Sequence, residues 1–137
     1  MNELSKTFIE PADVETQVFD WGRLSWLSEP RTTGTDRFSA GVVVLEPGKG
    51  HIRHNHPGVE EILYVIGGKG IQMVEVDGKP VEREVTTGVL VHIPPDIYHS
   101  TVNTGDGPMT LLAIYSPPGP EALLREMEGV TIEPPQR

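Results

Sequence analysis

The sequence predicts an all-β domain with one short helix near its C-terminus, and three observations support this fold class. First, the 137 residues include 15 glycines and 13 prolines, which interrupt the chain at short intervals. Second, the segments between them are short apolar runs, a pattern typical of short strands joined by turns. Third, only EALLREMEG has a helical pattern, with Gly129 as its stop. Many strands and few helices favour a β-barrel or a sandwich.

The N-terminal half divides at its proline, glycine and polar clusters. We expect a loose arm over residues 1–13, two short strands around Trp21-Gly22 over 14–27, a loop over 28–37, a strand over 38–48 and a short strand over 51–56. Pro47-Gly48 ends the longer of the last two strands, and Pro57-Gly58 turns the chain after the shorter one.

The C-terminal half continues this alternation of strands and turns. We expect a strand over 61–68, a hairpin over 70–85, strands over 89–93, 99–103 and 110–116, and the helix over about 121–128. In the hairpin, Asp77-Gly78 predicts a tight turn with positive φ. Together these elements predict one domain over 1–137, with a core barrel at about 38–116 and N-terminal strands at about 14–28.

The composition excludes several classes of function. A formal net charge of -9 disfavours nucleic acid and anionic membranes as partners, because both require cationic patches. The absence of cysteine excludes disulfides, thiolate metal ligands and cysteine nucleophiles. No stretch approaches membrane-spanning length, and MNELSKTFIEP has no apolar core of a signal peptide. We therefore expect a soluble cytoplasmic protein, with a separate export route left open.

The segment HNHPGVEEILYVIGGKG, residues 54–70, concentrates candidate metal ligands. Side chains alternate along a strand, so His54 and His56 point the same way. Glu61 shares one face of the next strand with apolar residues, and that face must be the barrel interior if Glu61 joins the histidines. Neutral imidazoles with one carboxylate suit a divalent transition metal, and His99 supplies a third histidine.

These residues resemble the two sequence motifs of the cupin superfamily. The first motif runs glycine, five residues, His-x-His, three or four residues, Glu, six residues, Gly; the second runs glycine, five residues, Pro-x-Gly, two residues, His, three residues, Asn. The matching residues are Gly48, His54, His56, Glu61 and Gly68 in the first, and Gly88, Pro94, Asp96, His99 and Asn103 in the second. Both motifs in order, covering roughly residues 48–103, make a specific match.

Two points of the match need a decision. Asp96 replaces a glycine of the second motif, and the turn can survive because Asp tolerates left-handed backbone better than most residues. Glu60 also fits the loose spacing of the first motif, and alternation does not decide because the turn at Pro57-Gly58 resets the phase. We favour Glu61, which leads directly into ILYVIG as the ligand carboxylate does in many family members, and we expect Glu60 to be a solvated turn residue.

The two remaining histidines receive structural interpretations. His51 has the opposite parity to His54, so we expect it to face away from the site, with a role in lining the barrel mouth left open. His92 lies within VLVHI, where a buried histidine satisfied by hydrogen bonds is expected rather than a ligand, and a pocket role stays open.

Other polar and aromatic residues near the motifs are interpreted in the same way. Tyr64, Tyr98 and Tyr115 are packing residues, Arg53 and Asn55 point outward, Asn103 is a structural hydrogen-bonding residue, and Trp21 and Trp26 pack an N-terminal strand onto the barrel or onto a partner subunit. No acid–base catalytic residue can be assigned from spacing.

The resemblance implies a cupin-type jelly-roll barrel that holds one divalent metal through His54, His56, Glu61 and His99. Mn, Fe, Ni, Co, Cu and Zn all accept such a ligand set. Two functions stay open. The first is a metal-dependent dioxygenase, isomerase, lyase or decarboxylase that acts on a small oxygen-rich substrate inside the barrel. The second is a non-catalytic cupin that binds a small ligand as a sensor or store.

We also expect a homodimer. The segment VFDWGRLSWL, residues 18–27, has more apolar and aromatic surface than a lone arm should expose. Many cupins pack two barrels together, often with N-terminal strands exchanged, and this chain looks similar. In the alternative case the segment folds back over its own sheet and buries both tryptophans within one subunit.

Overall fold

The structure is a computed structural model that describes residues 6–136. Its strands are Thr16–Phe19 (β1), Gly22–Ser28 (β2), Ser39–Leu45 (β3), Gly50–His54 (β4), Glu60–Gly67 (β5), Lys69–Val76 (β6), Lys79–Thr86 (β7), Leu90–Ile93 (β8), His99–Asn103 (β9), Met109–Ser116 (β10) and Thr131–Glu133 (β11). One α-helix, Pro120–Arg125 (α1), and one 3-10 turn, Pro11–Asp13, complete the described elements. The predicted all-β class with a short C-terminal helix is confirmed.

The strands form two antiparallel sheets. The larger sheet has the order β11-β1-β2-β3-β10-β5-β8, and the smaller one has the order β4-β9-β6-β7. Successive strands of the chain repeatedly change sheet, as in a jelly roll. β3 shows how the sequence produces this packing, because its residues are alternately buried and half-buried. The buried side chains of β3, β5 and β10 include Leu45, Val65 and Ala113, which belong to one core cluster.

The β6–β7 hairpin forms as the sequence predicts. Asp77 and Gly78 have φ values of 53° and 75°. Positive φ at both central residues gives the turn a twist that matches the flanking strands, and this favours Asp-Gly.

The N-terminal segment folds back over its own sheet. β1 pairs with β2, which pairs with β3. Trp26 is 1% exposed, and its Nε1 donates a hydrogen bond to Gln17 Oε1 at 3.2 Å. Trp21 stacks on Phe19 with 4.6 Å between ring centroids. In the described chain this segment pairs with its own sheet and buries Trp26, whereas Trp21 is half-buried. The homodimer stays a prediction.

The C-terminal region differs from the prediction in two ways. α1 ends at Arg125 rather than near residue 128, because the chain leaves helical geometry at Glu126 and continues as a turn. β11 was not predicted; it pairs with β1, with Ile132 opposite Gln17. A three-residue strand has too short a pattern to be recognised without its partner. No helix within residues 6–136 combines the length and hydrophobicity needed to cross a membrane.

Candidate metal centre

Three histidine side chains converge between the two sheets. The candidate ligand atoms of His54, His56 and His99 all lie within 4.8 Å of one another. Within residues 6–136 these three histidines form the group whose ligand atoms come this close together, and Glu61, the fourth predicted ligand, is not a member of it. The rings of His54 and His99 are 4.3 Å apart between centroids, and those of His54 and His56 are 4.9 Å apart.

The local structure explains this convergence. His54 is the last residue of β4 and pairs directly with His99, the first residue of β9. His56 lies beyond the end of β4, in the turn before Pro57, and not on the strand that the sequence predicted. The alternation rule therefore does not apply between His54 and His56, although the structure does bring their rings together.

Backbone carbonyls orient two of the three rings. His54 Nδ1 lies 2.6 Å from the Ile52 carbonyl oxygen, and His99 Nδ1 lies 2.9 Å from that of Ile97. A carbonyl oxygen can only accept, so Nδ1 carries the proton in each ring and Nε2 keeps a free lone pair. Such hydrogen bonds to the second nitrogen are the usual support of metal-binding histidines.

Glu61 approaches the cluster from β5, in the other sheet. The side chain is 3% exposed, and its Oε1 lies 3.0 Å from His99 Nε2 and 3.6 Å from His56 Nε2. These three buried atoms are close together, but none has a hydrogen-bond partner of suitable geometry. Buried polar atoms without partners are rare in folded proteins. Imidazole nitrogens and one carboxylate are a donor set that fits a divalent transition metal.

The pKa directions agree with largely neutral imidazoles. Burial lowers the pKa of His56 to about 4, although the charge of Glu61 opposes this effect. Burial also lowers the pKa of His54. Burial acts in the same direction on His99, but the nearby Glu61 carboxylate and the Ile97 carbonyl outweigh it and raise the pKa of His99. His99 is therefore the ring of the three that most readily takes a proton.

The structure separates the two adjacent glutamates. Glu61 points into the interior, whereas Glu60 is exposed and its Oε2 lies 2.5 Å from His92 Nε2. Glu60 is solvated, as expected, but it is the first residue of β5 and not a turn residue. The expectation of a buried His92 is wrong, because its side chain is 52% exposed. His92 pairs with Ile62 on the outer face of the sheet, and its neighbour Ile93 is the residue that enters the core.

Comparison with known proteins identifies the family. The sequence model of the protein family described as the cupin domain matches residues 41–115 of this chain. The chain belongs to the cupin family. Protein SchB from Streptomyces halstedii is 35% identical over 120 residues, covering 88% of this cupin and 84% of that protein. Polyketide synthase CurC from Streptomyces cyaneus is 27% identical over 128 residues, covering 93% and 80%.

Other relatives match this cupin over part of their length. A glucose-6-phosphate isomerase from Thermococcus onnurineus is 46% identical over 70 residues, which are 49% of this cupin and 35% of that enzyme. Oxalate decarboxylase of Bacillus subtilis, a protein with Mn(II) centres, is 26% identical with a TM-score of 0.64, covering 70% of this cupin and 26% of that chain. A predicted oxalate decarboxylase from Thermotoga maritima has a TM-score of 0.68 over 81% of this cupin and 99% of that chain; at 19% identity it shows the fold alone.

Asp96, where this cupin departs from the family motif, has a role that glycine cannot fill. Its φ is 71°, so the expected left-handed backbone is confirmed. Its Oδ1 accepts a hydrogen bond from the backbone N–H of Gly58 at 2.8 Å, and its carbonyl oxygen accepts one from Asn55 Nδ2 at 3.0 Å. The turn of the second motif is thereby tied to the turn that carries His56.

His51 corrects a second expectation, because it does not face away from the site. The register between β4 and β9 shifts between His51 and His54, and this irregularity resets the alternation that predicted an outward direction. The ring contacts Trp21 edge-on at 4.3 Å, and its Nε2 is buried without a partner. The sequence does contain a signal: a glycine within a strand often marks a bulge or a close approach, and a Cβ on Gly50 would lie 1.9 Å from the Thr101 carbonyl oxygen.

Tyr115 packs in the core, as predicted, but it also borders the site. It lies opposite Glu61 in the pairing of β10 with β5, and its ring is 5.1 Å from that of His56. Burial, followed by the charge and hydrogen bonding of Glu61, raises its pKa well above the ordinary value for tyrosine. The sequence placed Tyr115 on a strand but gave no indication of this neighbour.

A small cavity borders the candidate centre on the side of Glu61. A cavity of about 10 Å³ lies there, with polar lining from His51, Glu61, Thr101 and Tyr115 and aliphatic lining that includes Leu63. A larger cavity of about 740 Å³ lies elsewhere, beside Glu15, Glu29 and Arg125. In that larger cavity Arg125 pairs with both glutamates, at 2.6 and 2.7 Å. Of the two cavities, the small one borders the candidate centre, because Glu61 is part of its lining.

Proposed function

We propose that this cupin binds one divalent transition metal through His54, His56, Glu61 and His99. The supporting observation is that the Nε2 atoms of His56 and His99 and Oε1 of Glu61 converge in the interior without hydrogen-bond partners. Mn, Fe, Ni, Co, Cu and Zn are the candidate ions, since each accepts nitrogen and carboxylate donors. The Mn(II) centres of oxalate decarboxylase of Bacillus subtilis support manganese as the first ion to test.

We further propose that the protein is a metal-dependent enzyme acting on a small, oxygen-rich molecule. When bound, such a metal supplies a Lewis acid or a platform for oxygen chemistry. The relatives named as polyketide synthase and glucose-6-phosphate isomerase support an enzyme. The reaction class is a dioxygenase, isomerase, lyase or decarboxylase. In each case Glu61 and Tyr115 border the reacting centre, and the aliphatic side chains of the interior exclude water from its inner side.

A second candidate is a non-catalytic cupin that binds a small ligand at the same centre. The small cavity beside Glu61 favours it, because about 10 Å³ admits a group the size of a water molecule. A substrate enclosed entirely in the barrel needs more space. A ligand that inserts one group and remains at the half-exposed His54 and His56 satisfies either function.

We also propose a homodimer, formed by a different surface from the N-terminal segment. The outer face of β3, β10, β5 and β8 carries a row of paired apolar residues, Val42, Leu112, Tyr64 and Leu90. Ala40, Ile114 and Ile62 form a second row beside it. Antiparallel sheets with one solvated face usually alternate apolar and polar residues, and these strands do not.

A second copy of the chain is the occupant that suits this face. Two chains that each carry a net charge of -9 repel each other over most of their surfaces. The two rows contain no carboxylate, and the exposed Glu60 at their edge is paired with His92, so this face allows two copies to approach with less of that repulsion. Twofold symmetric dimers are also the commonest oligomers.

The metal proposal is tested by elemental analysis of the purified protein and two matched variants. We expect one transition metal per chain in the wild type, loss of metal in Glu61→Gln and retention in Glu60→Gln, because only the first carboxylate faces the histidines. Metal loss in both variants, or in neither, would contradict the assignment of Glu61.

The two candidate functions are then separated with the metal-loaded protein. Oxygen uptake and product formation are measured with a panel of small hydroxy acids, sugar phosphates and phenols. Turnover that disappears in Glu61→Gln supports the enzyme. Saturable binding of a panel member without turnover, in air and under anaerobic conditions, supports the ligand-binding cupin.

A further inference from the structure

His51 presents a buried, unpartnered polar atom to the small cavity beside the candidate centre. Its Nε2 has no hydrogen-bond partner, and its ring lines this cavity together with Glu61, Thr101 and Tyr115. A polar atom in this position normally has a partner, because leaving it unpaired costs free energy. A hydrogen-bond partner for His51 Nε2 is therefore expected when the protein binds its ligand.

Neighbouring protein groups do not supply the partner. Thr101, opposite His51 in the pairing of β4 with β9, donates its hydroxyl proton to Gln72 Oε1 at 2.5 Å. Gln72 in turn donates from Nε2 to the Met73 carbonyl oxygen at 3.2 Å. The other side of the ring contacts Trp21, whose edge-on packing at 4.3 Å holds His51 in place. The ring is therefore fixed while its Nε2 remains free.

The environment of His51 also favours a neutral ring. Burial, followed by the charge of His54, lowers the pKa of His51 to about 4. Its ring lies 5.8 Å from that of His54 between centroids, farther than the rings of His56 and His99, which lie 4.9 and 4.3 Å from it. His51 thus lies beside the cluster of three histidines.

We propose that His51 is a ligand-positioning residue, whose Nε2–H donates a hydrogen bond to an oxygen of the small molecule bound at the metal. The proposal rests on the proposed metal site. The cavity of about 10 Å³ admits one oxygen-bearing group, such as a carboxylate oxygen or a hydroxyl. The ligand class is therefore a small carboxylate or hydroxycarbonyl compound that bonds the metal with one oxygen and places an oxygen against His51.

The test compares two substitutions of His51 in the cobalt-loaded protein. His51→Phe keeps an aromatic ring against Trp21 but removes the polar atom, whereas His51→Gln keeps a hydrogen-bond donor. The probe is oxalate, titrated while the visible absorption of Co(II) is recorded. We expect His51→Phe to weaken oxalate binding about five- to tenfold, the effect of one lost hydrogen bond, and His51→Gln to stay within about threefold of the wild type.

Controls separate positioning from folding and from metal binding. Cobalt content and melting temperature are measured for every variant, and His92→Phe serves as a matched control because His92 is exposed and pairs with Glu60. If His51→Phe does not fold, the pair His51→Met and His51→Gln gives the same comparison with side chains of similar length.

Each result decides the matter. Unchanged oxalate affinity in a cobalt-loaded His51→Phe variant would overturn the positioning role, and loss of cobalt from that variant would show that His51 is a metal ligand instead. A wild-type protein that binds no cobalt, manganese or other transition metal would overturn the proposed function itself, and His51 would lose its role with it.

Discussion

Glu61 lies directly opposite Tyr115 in the pairing of β5 with β10, and both side chains are buried. The pKa of Tyr115 is raised by burial and by Glu61, so its hydroxyl keeps its proton throughout the neutral range. A protonated phenol beside a carboxylate can donate a hydrogen bond to it. This pair connects the core of the barrel to the candidate metal centre.

Replacing Tyr115 by phenylalanine should therefore weaken metal binding without unfolding the protein. The phenyl ring keeps the packing against Trp26 and His56, while Glu61 loses the neighbouring hydroxyl. Removal of such supporting groups usually lowers metal affinity by about 10- to 100-fold. Competition with a chelator measures the change. Tyr64→Phe, on the outer face and 40% exposed, is the matched control; equal affinities in the two variants would refute a role for the Tyr115 hydroxyl.

Metal affinity should fall when the solution is acidified. The metal binds neutral imidazoles, so protons compete with it. Because the pKa of His99 is raised, this ring is protonated first as the pH falls, and affinity is restored as the pH rises through that pKa. His54 and His56, with lowered pKa values, resist protonation longer. Equilibrium dialysis against buffers of falling pH should show metal loss as His99 takes up its proton, before His54 and His56 do. Full retention down to pH 4 would count against a histidine-rich site.

A charge placed on the outer face of the large sheet should separate the proposed dimer. Tyr64 lies in the middle of the apolar row between Leu112 and Leu90, so Tyr64→Glu puts two like charges into a twofold contact. Light scattering should give a dimer mass for the wild type and a monomer mass for this variant. Val81→Glu, 52% exposed on β7, should remain dimeric. A wild type that stays monomeric at high concentration would rule out the dimer.

Loss of the Asn103 amide should destabilise the fold while leaving the metal stoichiometry unchanged. Asn103 is 1% exposed, and its Nδ2 donates to the carbonyl oxygens of Leu45 and Gly107, each at 2.9 Å. Its Oδ1 accepts from the Gly105 N–H at 2.8 Å. Asn103→Ala leaves these backbone groups without a partner and should cost about 2–4 kcal/mol of unfolding free energy. Urea unfolding measures the cost, with the exposed Thr104→Ala as control; equal midpoints would show that Asn103 is dispensable.

Much of the fold follows from local sequence signals. The Asp77-Gly78 turn forms where two residues that accept positive φ separate two strands, and Asp96 adopts the left-handed conformation that its residue type tolerates. Strands such as β3, β5 and β10 appear where apolar runs end at proline or glycine. These features depend on a few adjacent residues, so a sequence is sufficient to predict them.

The tertiary structure was needed to establish in which direction individual side chains point. Alternation predicts which side chains point into the barrel only within an uninterrupted strand. The register shift in β4 turns His51 inward. The turn at Pro57-Gly58 prevents alternation from showing whether Glu60 or Glu61 points inward. β8 has only four residues, and its pairing with β5 decided that Ile93 enters the core and His92 does not.

The sequence alone indicated which histidines belong to one candidate site, through the spacing of the two motifs. That spacing reflects the strands and turns of the chain itself. Only the tertiary structure decided that Trp26 packs against Tyr115, that His51 borders the candidate centre and that Tyr115 faces Glu61. The physical reason is that each of these contacts joins residues far apart in sequence. Their geometry is fixed by strand pairing and by the packing of two sheets, neither of which is encoded in a local pattern.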